Sequence, residues 1–71
     1  MFFQRLEDLR VDNDKTQQEI ADIINFSRLS YQRYEKGIRE IPACAVIRLA
    51  DYYGVSTDYI LGRTDNSKPY K

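Results

Sequence analysis

Apolar residues recur at helical spacing in five successive stretches of the chain, and the residues between them are of the kinds that start and stop helices. Phe3, Leu6 and Leu9, joined by Arg10, share one side of a first helix predicted over 2–12. After the connection Asn13, Asp14, Lys15, a second helix over 17–24 gathers Ile20, Ala21, Ile23 and Ile24 on one side and turns Gln18, Glu19 and Asp22 away. A third is predicted over 28–36. The fourth spans 43–53, with Val46, Ile47, Ala50 and Tyr53 as its inner stripe. A short fifth covers 57–61, and the remaining residues, 63–71, read as a polar, frayed tail.

Local chemistry fixes the ends of these stretches. Thr16 can accept from the backbone N–H of Glu19 while Glu19 reaches back to that of Thr16, a reciprocal capping box. Asn25 tolerates the left-handed conformation that closes a helix, and Phe26 follows as an apolar anchor. Ser27 and Ser56 supply hydroxyl caps, Asp58 favours the first turn of the fifth helix, and Pro42 marks the entry to the fourth. Gly37, Gly54 and Gly62, the three glycines of the chain, each fall just after a predicted helix. That regularity argues for an all-α, five-helix domain over 1–62.

The third helix has two unlike faces. Arg28, Leu29, Gln32, Arg33 and Lys36 fall within a stripe of roughly 140°, and Tyr31 and Tyr34 lie opposite. The tyrosines are therefore expected to pack against the isoleucines of the second helix, leaving the donor-rich stripe outside. Arginine can donate two parallel bonds to guanine in a major groove, glutamine can pair with adenine, and a leucine can touch a thymine methyl. Taken alone, such a stripe is an ordinary solvated face. Stacking of Tyr31 and Tyr34 on single-stranded bases is the other use of those rings, and their inward position disfavours it.

The stretch from Thr16 to Gly37 resembles the helix-turn-helix of the lambda-type phage repressor and Cro family, also called the XRE family. The matching residues are Thr16-Gln17, Glu19-Ile20-Ala21, the turn Asn25-Phe26-Ser27, and Arg33-Tyr34-Glu35-Lys36-Gly37. Leu49-Ala50, Gly54-Val55-Ser56 and Asp58-Tyr59-Ile60-Leu61-Gly62 resemble the last two helices of the family, so the likeness covers about residues 3 to 63. It implies a lambda-repressor-like fold in which the third helix reads bases through Arg28, Leu29, Gln32 and Arg33. Gln17 resembles the family position that binds a DNA phosphate, and Arg10 the one that pairs with a glutamate, here Glu35. Lys36 and Arg39, at the helix end and in the loop, suit phosphate contacts, and Ser27 and Ser30 lie within reach of the same groups. Two departures stand out: Asp14 occupies a position where the family often has glycine, and Ala43 one where it often has a capping serine.

Composition narrows the class. Seventy-one residues make one small domain, and a hydrophobic fraction of 42% is ordinary for a globular chain. No apolar run approaches the ~20 residues of a membrane span, and M-F-F-Q-R lacks the core of a signal peptide, so the expected location is the cytoplasm. One cysteine, Cys44, cannot form an internal disulfide and is read as a small buried residue. Without histidine there is no imidazole acid–base pair and no histidine ligand for zinc, and no glycine-rich phosphate loop is present. Neither an enzyme, nor a cofactor, nor a metal site is expected.

Net charge is zero, which by itself counts against nucleic acid as a partner. Its distribution does not. Residues 1 to 22 carry three cations against six carboxylates, a net of −3, whereas residues 27 to 48 carry five cations against two, a net of +3. Tyr52, Tyr59 and Ile60, with Tyr53, exceed what so small a core buries, and a homodimer contact around the fifth helix is expected there. The sequence thus points to a transcriptional regulator, expected to act as a repressor, that binds double-stranded DNA at an inverted repeat as a homodimer. The alternative is an antitoxin or adaptor that uses the same fold to hold a protein partner.

Overall fold

A computed structural model describes residues 2–68, and the predicted tail residues 69–71 and Met1 lie outside the described part. Five helices follow one another: α1 (Gln4–Asp12), α2 (Gln17–Ile24), α3 (Arg28–Lys36), α4 (Ala43–Tyr53) and α5 (Thr57–Ile60). The first starts two residues later than the apolar pattern suggests, because its N-cap Phe3 offers no side-chain acceptor to hold an earlier turn.

The capping chemistry is the reason for most of the other ends. Thr16 Oγ1 accepts from the Glu19 backbone at 3.1 Å and the Glu19 carboxylate accepts from that of Thr16 at 2.9 Å. Asn25 closes α2 in the left-handed conformation, φ 63°, and Ser27 caps α3 through the Ser30 backbone N–H. Asp14, in the position that favours glycine, also takes a positive φ of 56°. Gly37 is the most constrained of the helix ends: φ is 76°, and a Cβ there would meet Phe2 at 3.0 Å.

The core forms where all five helices meet, around Leu6, Ile20, Ile24, Tyr31, Leu49 and Ile60, all nearly free of solvent. Tyr31 and Tyr34 point into it, and the Tyr34 ring meets Phe26 edge-on with centroids 5.9 Å apart. The α4 stripe is centred differently from the prediction. Ala45, Val46, Leu49 and Ala50 are buried, whereas Ile47 is 52% exposed, since the shift of the stripe carries it to the rim. Ile23, on the edge of the α2 stripe, is likewise exposed. Cys44 is exposed too, in the first turn of α4 on the side away from the core, so the expectation of a buried thiol is corrected.

Residues 63–68 do not form a free tail. The Arg5 guanidinium donates to the Tyr59 carbonyl at 2.8 Å, to the Thr64 carbonyl and to the Asp65 carboxylate at 2.7 Å, and lies 4.0 Å over the Tyr59 ring. Farther on, the Ser67 carbonyl accepts from the Ser56 backbone N–H at 3.0 Å. One arginine on α1 thus satisfies the end of α5 and folds the following strand of chain back beside it. No helix among the described residues is long and apolar enough to cross a membrane.

Candidate nucleic-acid interface

The two helices α2 and α3, with the turn 25–27 between them, form one packed unit. Ile20, Ala21 and Ile24 from the first meet Tyr31 and Tyr34 from the second, all of them buried. With its rings fixed behind it, α3 exposes Arg28 and Leu29 to solvent and Gln32 and Arg33 partly so, with Lys36 exposed at its end. Leu29 is 53% exposed, an unusual position for a leucine unless something lies against it. Ser27 and Arg39 are exposed and Ser30 is partly so; Ser27 is occupied as the cap and its hydroxyl also donates to Ser30 Oγ at 2.9 Å.

The arginines and Lys36 divide into two groups by what they touch. Arg28, Arg33, Lys36 and Arg39 form no ion pair and no side-chain hydrogen bond among the described residues. Arg5, Arg10, Arg48 and Arg63, by contrast, are engaged by the protein itself. Arg48 belongs to the segment whose sequence carries the positive excess, yet its guanidinium donates to the Ile24 carbonyl at 2.6 Å and closes the end of α2. The unpartnered positive charge is therefore concentrated on α3 and the loop behind it, where an anionic ligand would meet it without displacing a carboxylate.

A buried ion pair sets how α3 sits. Glu35, 5% exposed, accepts from Arg10 Nε at 2.9 Å and from Arg10 Nη2 at 3.0 Å, a two-pronged contact across α1 and α3. Arg10 Nη1 donates in turn to the Lys15 carbonyl at 3.0 Å, which fixes the connection leading into α2. Gln17 Nε2 donates to the same Glu35 carboxylate at 3.2 Å. Burial pushes the Glu35 carboxyl up, but the hydrogen bonds from Arg10, Tyr31 and Gln17 outweigh it and hold the group below its ordinary value. Tyr31, whose hydroxyl makes a long 3.4 Å bond to the Leu6 carbonyl beside this carboxylate, is pushed well above the ordinary tyrosine range, by burial first and by Glu35 second.

The residues expected at a dimer contact separate in the fold. Tyr52 is 41% exposed, with its ring edge-on to Tyr53. Tyr59 is half-buried beneath Arg5. Ile60 is 1% exposed, turned inward against the core by the short α5, and it is corrected from a contact residue to a core residue. A second apolar surface lies elsewhere: a groove of about 440 Å³ bounded by Phe3, Ile41, Val46, Ile47, Thr57 and Leu61. Sequence reading passes over this groove, and also over the Arg48 and Arg5 contacts, because their partners lie far apart along the chain.

A family model described as Helix-turn-helix matches residues 6–60. The uncharacterized HTH-type transcriptional regulator YobD of Bacillus subtilis (strain 168) is 39% identical over 69 residues, 97% of this chain and 62% of its own length. The HTH-type transcriptional regulator ImmR of the same organism is 34% identical over 92% of this chain and 51% of its own. The cryptic phage CTXphi transcriptional repressor RstR of Vibrio cholerae is 40% identical over 78% of this chain and 50% of its own. The chain thus spans about half to three-fifths of the length of these relatives. No solved structure is a significant match.

Proposed function

The chain belongs to the helix-turn-helix family, and from that premise we propose that it is a sequence-specific binder of double-stranded DNA that regulates transcription, as a repressor at an inverted-repeat operator. The observation that carries the reading is the outward face of α3, cationic, unpartnered and anchored from behind by two buried rings. In this reading α3 enters the major groove, with Arg28, Leu29, Gln32 and Arg33 at base edges. Gln17, Ser27, Ser30, Lys36 and Arg39 contact phosphates, and α2 crosses the backbone. The names of the relatives, two transcriptional regulators and a phage repressor, support the same role.

A homodimer follows from the proposed operator symmetry, since two half-sites one turn (~34 Å) apart need two reading helices. Its contact surface is sought at Tyr52 and Tyr59 and along the groove beside Ile47, where large apolar side chains stand in solvent. The same exposed side chains favour a second reading, an adaptor or antitoxin that holds a protein partner.

Selection of bound fragments from a random duplex library, followed by gel retardation at two salt concentrations, separates the two. One enriched palindrome with retardation that falls as salt rises supports the regulator. No retardation at micromolar protein refutes it and leaves the adaptor.

A further inference from the structure

We infer that Glu35, beyond its ion pair with Arg10, is the positioning residue for the Gln17 carboxamide, holding one amide N–H inside so that the other is directed to a DNA phosphate. The inference rests on the DNA-binding reading above and on Gln17 as one of its phosphate contacts. A glutamine side chain carries a donor end and an acceptor end of nearly the same shape. Phosphate can use only the donor end and is repelled by the other. An unrestrained Gln17 would therefore present the wrong end for part of the time.

Three features of the fold remove that ambiguity. Glu35 is held ionised, and an ionised carboxylate only accepts, so only Nε2 of Gln17 can face it, as the 3.2 Å contact has it. Glu35 is itself stationary: it is buried, and both its oxygens are taken by Arg10. Arg10 also grips the Lys15 carbonyl, so the residues just before α2 are fixed to the same pair. Gln17 meanwhile is half-exposed and borders an open cleft with Lys15, Thr16, Gln18 and Arg28. Its Nε2 carries two N–H groups, of which Glu35 takes one. The second is the donor left for an anion at the start of α2.

The test uses four proteins: the wild type, Gln17→Ala, the paired replacement Arg10→Met with Glu35→Met, and all three changes together. Each is checked by thermal melting and titrated with a short duplex of arbitrary sequence at low and moderate salt. Gln17→Ala is expected to weaken binding about 3- to 10-fold in the wild-type background, the worth of one hydrogen bond, and under about 2-fold where Glu35 is absent. The salt slope stays unchanged, because Gln17 neutralises no phosphate. Equal losses in both backgrounds overturn the positioning role. Nuclear magnetic resonance of the Gln17 side-chain amide gives an independent reading in the wild type. One of its two protons should be downfield and slow to exchange in the free protein, and the other should move when duplex is added. Two protons with the shifts and fast exchange of a solvated glutamine amide in the free protein overturn the inference even if DNA is bound. A wild type that binds no duplex overturns both the DNA-binding reading and the inference that rests on it.

Discussion

Arg10→Met is the perturbation that probes the fold most sharply. It removes both guanidinium donors to Glu35 and leaves a carboxylate that is 5% exposed. Breaking a buried pair on one side costs about 3–5 kcal/mol, because the remaining charge stays desolvated. At about 0.05–0.15 kcal/mol per residue, a chain of this length has about 4–11 kcal/mol in all. A melting temperature lower by about 12 °C or more is the corresponding shift for a small domain. Replacing both partners, Arg10→Met with Glu35→Met, removes the stranded charge and should bring stability back to within about 1 kcal/mol of wild type or above it. Urea unfolding at neutral pH measures both. Acidification adds a sign. The wild-type Glu35 titrates below its ordinary value of 4.5, so its contribution is complete above that pH and is lost as pH falls through the depressed value. In Arg10→Met burial acts without the guanidinium and the carboxyl titrates higher, so the deficit relative to wild type narrows in acid. A loss under about 1 kcal/mol, or a deficit that widens on acidification, refutes the reasoning.

Four further outcomes are expected. Arg28→Ala and Arg33→Ala should each weaken the selected operator by about 1–3 kcal/mol and relax preference at one base position, whereas Lys36→Ala should weaken all duplexes alike and lower the salt slope by about one; competition binding checks both. Gly37→Ala should destabilise more than Gly62→Ala in thermal melts, since both have φ 76° but only the first places a methyl against Phe2. Ile47→Glu should abolish self-association in sedimentation if the groove is the dimer contact, and leave the melting temperature of the monomer unchanged because the side chain is half in solvent. Arg5→Ala should open residues 63–68 to limited proteolysis while the helices stay protected, because that guanidinium holds Thr64 and Asp65.

What could be read from the chain beforehand is what is local. Thr16 and Glu19 lie three residues apart, and Asn25 and Gly37 stop their helices by their own conformational range, so these ends are legible without a fold. The two faces of α3 are legible for the same reason, being a matter of period alone. Ile47 shows where that resolution ends. A buried stripe is broad enough that a shift of one position exchanges Ile47 for Leu49, and only the placement of α5 and the α3–α4 loop decides between them. Ile60 has the bulk of a surplus apolar residue, and the short α5 nevertheless turns it into the middle of the core. Arg48 and Arg5 show the other limit: a charged residue looks like a surface group until a carbonyl 24 or 54 positions away is brought beside it. The Arg10–Glu35 contact is as hidden, and family likeness rather than any property of the two residues points to it.

The exposed Cys44 has a practical meaning. It is the single thiol of the chain and stands clear of the core at the start of α4, next in sequence to a residue on the rim of the apolar groove. A nitroxide can therefore be attached there without first altering the protein. Electron–electron distance measurements between two such labels would give a ruler across any pair of copies. A short separation would bring the groove sides together, and a long one would assign the pairing to the tyrosine side.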